Sequence, residues 1–134
     1  MLMTVGEIKK EFVESPYLQH LGIEILSIEK ENTRIKLNVQ DYLLNTKGTL
    51  HGGVTASMLD FVQKMHLRSV CNTRCVPISS TVHFTAPVKT GAIYAEASII
   101  SSSYKTAFLE GIITSESGDI ISKGTGTFKL IRDE

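Results

Sequence analysis

VTASMLDFVQKMHLRSV, residues 54–70, holds neither glycine nor proline and is too long for a strand, so it reads as one helix. Val54, Ala56, Met58, Leu59, Phe61, Val62, Met65 and Leu67 cover most of its circumference, which a surface helix with one apolar stripe would not show. Such a helix has to be enclosed by the rest of the chain. Its polar members are Asp60, Gln63, Lys64, His66 and Arg68. Asp60 lies amid apolar neighbours, where a carboxylate needs a partner or a chemical role. The other four gather toward the C-terminal half, which is consistent with a helix end that faces the surface.

Working outward, residues 5 to 14 place Ile8, Phe12 and Val13 at helical spacing, and Ser15-Pro16 ends that pattern. From His20 to Gln40 two alternating runs flank a turn at Glu31-Asn32, which predicts a hairpin. The polar loop DYLLNTKGTLHGG then leads into the long helix. Behind the helix come VPISSTVHFTAP, AIYAEASIISSS with TAFLEGIITSE close behind, and DIISKGTGTFKLI, with turns at Ser102 to Lys105 and Glu116 to Gly118. These predict an antiparallel meander. The expected class is α+β, one curved antiparallel sheet wrapped around one long central helix. With no repeat, linker or low-complexity segment, residues 1–134 read as a single domain.

Lys plus Arg and Asp plus Glu balance at 14 each, so no overall field favours nucleic acid or an anionic membrane. Glu7, Lys9, Lys10 and Glu11 interrupt any signal-peptide core, and no run approaches the roughly 20 apolar residues of a membrane span. A soluble, cytoplasmic protein is expected. Cys71 and Cys75, in CNTRC, match neither the C-x-x-C redox form nor a paired zinc pattern. They read as structural thiols, and neither a metal nor a redox cofactor is expected.

One spaced set carries chemistry: Asn45, Gly48, then Thr49-Leu50-His51-Gly52-Gly53, with Asp60 nine residues after His51. This set resembles the hotdog-fold acyl-CoA thioesterases, in particular their phenylacetate-degradation branch. The order of elements, Pro87 and the following Lys89-x-Gly91 fit that family over nearly the whole chain. The resemblance implies hydrolysis of acyl-CoA thioesters, with Asp60 attacking directly or activating water, and with Asn45 positioning water or the carbonyl.

The residues make independent sense of this. Gly52 and Gly53 open the long helix, where backbone N–H groups lack intrahelical acceptors and the dipole is positive, so one N–H there can stabilise an oxyanion. Equally, the glycines can serve a tight loop-to-helix turn. At 1.5 Å per residue, Gly52 and Asp60 stand about 12 Å apart on one helix, too far to act on one carbonyl carbon. They must act from different subunits, as in a two-fold dimer with antiparallel central helices; a dimer of dimers is also compatible. The resemblance implies the same dimer.

Each assignment has a structural alternative. Lys64, four residues on, can pair with Asp60; Asn45 can cap an Asx turn; His51 reads first as fixing its loop through hydrogen bonds, with proton transfer as its alternative. Phe61 and Lys64, with Gly53, fall where they can shape the substrate pocket. Lys89, Lys105 and the adjoining Thr106 are positioned to meet CoA phosphates, or are solvated turn residues. Two departures from the family stand out: Pro77 occupies a position where relatives carry Ser or Thr, and bulky or charged residues follow Asp60. The rival reading is a hotdog protein that binds or senses acyl-CoA with little turnover. A hotdog dehydratase is a further alternative, but its catalytic His paired with a carboxylate in another register is not found.

Overall fold

The computed structural model describes residues 3–29 and 31–132. Helix α1, Val5–Val13, begins at a capping box: the Thr4 hydroxyl accepts from the Glu7 N–H at 3.1 Å and the Glu7 carboxylate takes the Thr4 N–H. Ser15-Pro16 ends this helix as expected, yet it also starts another. The Ser15 hydroxyl caps α2, Pro16–Leu21, whose first position suits a residue without an N–H, and Gly22 closes it at φ 77°. The sequence reading had no helix here.

Strands β1, Ile23–Ile28, and β2, Thr33–Asn38, form the expected hairpin, closed by backbone bonds between Glu29 and Asn32. A 3-10 turn, Asp41–Leu43, interrupts the loop that follows. The long helix α3 runs Gly52–Cys71 and stops at Asn72, which takes a left-handed φ of 50°. Four strands complete the chain: β3 (Arg74–Phe84), β4 (Ala92–Ser102), β5 (Thr106–Ser115) and β6 (Ile120–Ile131).

All six strands join one antiparallel sheet in the order β1-β2-β4-β5-β6-β3. The expected meander therefore covers only β4 to β6. β3 crosses to the far edge and pairs with β6, because α3 packs against every strand and hands the chain over to that edge.

The core is the seam between α3 and the sheet. Met58, Leu59, Val62, Met65 and Leu67 are buried against Ile35, Leu37, Ile93, Ala95, Leu109, Ile113 and Phe128. Three sheet glycines let α3 come this close. A methyl at Gly111 would stand 2.9 Å from a Leu59 methyl, one at Gly124 would stand 3.1 Å from the other Leu59 methyl and 2.9 Å from the Thr81 carbonyl oxygen of β3, and one at Gly126 would stand 2.6 Å from Gln63 Oε1.

The C-terminal half of α3 is not a surface-facing end. Gln63, His66 and Arg68 are all buried, since the sheet curls along the whole helix. Gln63 donates back to the Leu59 carbonyl at 2.9 Å, and His66 Nδ1 meets the Thr33 hydroxyl at 2.9 Å. Burial lowers the His66 pKa from 6.5, favouring a neutral ring.

Candidate active site

The loop before α3 is wired by its own side chains. Asn45 Oδ1 accepts from the Lys47 and Thr49 N–H groups at 2.9 and 3.1 Å, while its Nδ2 donates to the Thr49 hydroxyl at 2.8 Å. That is the Asx-turn alternative, with one amide hydrogen of Asn45 left over. His51 is the N-cap of α3, and its Nδ1 accepts the Gly53 N–H at 2.8 Å. The ring therefore carries its proton on Nε2 when neutral and holds the turn. Gly53 has spent its N–H on that cap. The Gly52 N–H finds no acceptor among the described residues, which leaves it free to donate.

Gly52 also has a structural duty, because a Cβ there would meet the Phe84 ring at 3.0 Å. Phe84 ends β3, is 62 % exposed, and stands over the first turn of α3. It was not singled out from the sequence. The available signal was an aromatic in period-two alternation with Val82, on the inner face of a strand that turns out to be an edge.

Asp60 lies on the outward face of α3, together with Ser57, Phe61 and Lys64. Its Oδ2 is 2.8 Å from Lys64 Nζ, so the pairing open to Lys64 is the one adopted. Both side chains keep contact with solvent. Phe61 leans on Tyr17 of α2 at 6.2 Å between ring centres, and the Tyr17 hydroxyl meets Ser57 at 2.8 Å. This aromatic pair bounds one side of Asp60.

The remaining candidates separate. Lys89 is exposed on the loop after β3, whose Val88 carbonyl accepts the Leu50 N–H at 2.8 Å, so it belongs to the Gly52 end. Lys105 and Thr106 occupy the β4–β5 turn at the opposite end of the sheet. Thr106 is held there by Ser103, and the Lys105 carbonyl accepts from Leu130. Pro77 sits on the edge strand at a bulge between Pro77 and Ser79, a place where a missing N–H costs little. Among the described residues no group of three His, Cys, Asp or Glu is arranged to hold a metal ion, and no helix is long and apolar enough to cross a membrane.

A six-stranded antiparallel sheet curled around one long helix, entered through a glycine pair and bearing a half-exposed carboxylate two turns on, is a hotdog fold of the thioesterase kind. The family model for the thioesterase superfamily matches residues 47–122, and the chain belongs to that superfamily. Among its relatives is acyl-coenzyme A thioesterase 13 of Mus musculus, 26 % identical over 137 residues, covering 97 % of this chain and 96 % of the mouse protein. The fold is shared with a thioesterase of Haemophilus influenzae (TM-score 0.87, 19 % identity, 98 % and 93 % of the two chains covered). It is shared also with the E. coli PaaI protein from the phenylacetic acid degradation operon (TM-score 0.86, 19 % identity, 92 % and 90 % covered).

Proposed function

We propose that the protein is an acyl-CoA thioesterase of the phenylacetate-degradation type that works as a homodimer, or as a dimer of such dimers. The observation that carries this reading is the separation, on one helix, of a free N–H at Gly52 from a solvent-accessible carboxylate at Asp60. Each is half of a hydrolytic site. Pairing of β3 with its copy across a two-fold axis sets the helices antiparallel and brings Gly52 of the partner subunit toward Asp60. In that site the Gly52 N–H stabilises the oxyanion. Asp60 either takes a proton from the water that adds to the carbonyl carbon, or adds itself to form a mixed anhydride that water then hydrolyses; in both routes the C–S bond breaks, CoA leaves as the thiol carrying a proton that came from water, and the free acid is released. Asn45 offers its spare amide hydrogen to that water, and His51 holds the turn. Phe61, Lys64 and Gly53 border the substrate; Lys89 and, more remotely, Lys105 and Thr106 face the CoA nucleotide. The reaction calls for no cofactor, and the cytoplasm suits it because that is where acyl-CoA is found.

The Asp60–Lys64 ion pair favours a second reading, an acyl-CoA binding protein whose carboxylate is held back from attack. A thiol-release assay across aryl, short-chain and medium-chain acyl-CoAs decides between the two. Turnover of any of them establishes the enzyme; tight binding of acyl-CoA without thiol release establishes the sensor.

A further inference from the structure

Asp60, Lys64 and Arg68 follow one another at four-residue steps along one stripe of α3. Beyond Asp60 this stripe forms the wall of a cleft of about 180 Å³, completed by Glu11 and Phe12 of α1 and by Arg74 and Cys75 of β3. A wider groove of about 450 Å³ between α1 and Arg74 borders the same Arg68, but Glu7, Glu11 and Glu14 line it with Lys10, so the excess of cations belongs to the smaller cleft alone. Three cations thus line a cleft that starts one helical turn from the candidate catalytic carboxylate.

The charges in this cleft do not cancel. Lys64 is paired with Asp60 at 2.8 Å and Arg68 with Glu11 at 3.0 Å, while Arg74 has no ion pair among the described residues. Arg68 is only 8 % exposed, and its Nε has no hydrogen-bond partner among the described residues. A guanidinium buried with a donor unpaired is costly unless a ligand draws on it. The Cys75 thiol does not compete, because burial pushes it up to about 11, against the pull of Lys64, and it remains a neutral wall. Phe12 supplies apolar surface alongside.

Resting on the thioesterase reading above, the geometry points to this cleft as the pocket for an acyl group that carries its own anion: the substrate class is a CoA thioester of a dicarboxylic acid, with the distal carboxylate met by Lys64, Arg68 and Arg74. Position decides for the acyl end over the CoA phosphates. Lys64 and Arg68 lie about 6 and 12 Å along the helix from Asp60. The phosphates are separated from the thioester by the whole pantetheine arm, which is uncharged, so a cleft this close to the reacting carbon meets the acyl chain. A carboxylate there also competes with Asp60 for Lys64, so that the right substrate releases the catalytic carboxylate from its ion pair.

The test compares kcat/KM for adipyl-CoA and hexanoyl-CoA, matched in chain length, and for the same two acyl groups on pantetheine, which lacks the nucleotide phosphates. The wild-type protein is expected to prefer adipyl over hexanoyl by about tenfold or more on both carriers, the discrimination expected of charge-assisted hydrogen bonds to a carboxylate. Arg74→Glu, which spares the core but opens the docking strand β3 and is therefore checked by light scattering to keep the wild-type assembly, is expected to remove or invert that preference on both carriers; Arg68→Met, checked for folding by circular dichroism, is expected to do the same. Hydrolysis of hexanoyl-CoA with no preference for adipyl overturns the inference and leaves the thioesterase standing. A variant that loses activity on CoA but not on pantetheine, whatever the acyl group, reassigns the cleft to the phosphates and overturns it too. Failure to hydrolyse either CoA thioester, or any of the aryl, short-chain and medium-chain acyl-CoAs of the panel, takes down both readings.

Discussion

The two edges of the sheet are built to opposite specifications. β1 is six residues long, alternates buried with exposed positions, and has α1 and α2 packed against it. β3 is longer, has no fully buried residue, and leaves Val76, Ile78 and Phe84 in solvent. Bare apolar edge strands are an aggregation hazard unless they have a designated partner. Here one edge is covered and the other is open, and the open edge is flanked by Phe84 beside Gly52 at one end and by the cationic cleft at the other.

If β3 is where a second copy docks, Ile78→Glu breaks the assembly and separates the two halves of each site. Turnover should then fall about a hundred- to a thousandfold, the usual cost of losing an oxyanion donor. Leu26→Glu, the same change at an exposed apolar residue of β1, should leave dimer and turnover intact. Light scattering and thiol release on both variants check this, and a fully active monomer would end the two-subunit site.

A sharper contrast comes from within the helix. Asp60→Asn should lower turnover on the order of a hundredfold while leaving the fold and CoA binding largely intact, since asparagine can neither accept a proton from water nor add as an anion. Gly52→Pro removes the other half. Proline is tolerated at the first position of a helix, and the exposed Phe84 ring can give way to it. Mixing the two folded, exchanging variants should restore about a quarter of the wild-type sites, one intact site in each heterodimer. No recovery would contradict the shared arrangement.

A smaller effect follows Lys64→Met. Taking away the cation at 2.8 Å frees the Asp60 carboxylate from the partner that holds it, so thiol release from a neutral acyl-CoA should rise by about two- to threefold at constant pH. Unchanged turnover would show that the ion pair does not persist during hydrolysis.

The smallest effect concerns the hairpin behind the covered edge. The His66 pKa is lowered in the fold, so below pH 6.5 the unfolded chain binds a proton that the native state resists. Stability from this source is fully present above pH 6.5 and is lost as pH falls from there toward the folded value. Thermal midpoints at pH 7.5 and 5.5 should show that loss, and His66→Gln should lessen it.

Periodicity located α3 to within a few residues and found the strands, because apolar spacing and turn residues are local signals. What it missed depended on tertiary placement. Ser15-Pro16 reads as a stop from its left and as a cap with a first-turn proline from its right. The crossing of β3 to the far edge has no local signature, and neither does the burial of Gln63, His66 and Arg68, which follows from how far the sheet curls. In the site, His51 holds the loop as its first reading expects, Asn45 holds it as its alternative does, and the Asp60–Lys64 pair is visible in the four-residue spacing. Phe84, Arg74 and Cys75 were not visible, because they reach the site only through a strand paired at the opposite edge from its neighbours in sequence.

Gly111, Gly124 and Gly126 let α3 settle onto the sheet, and they also constrain the protein's ancestry. Any replacement of glycine adds at least one carbon, and at these positions that carbon collides with Leu59, with Gln63 or with the backbone at Thr81. At Gly124 the obstacle is backbone and cannot yield, whereas at Gly111 and Gly126 it is chiefly the end of a helix side chain, which has to move or shrink. Sheet and helix should therefore be epistatic: Gly111→Ala, harmful alone, should be partly rescued by Leu59→Ala, so that lineages departing from this pattern must change both surfaces together.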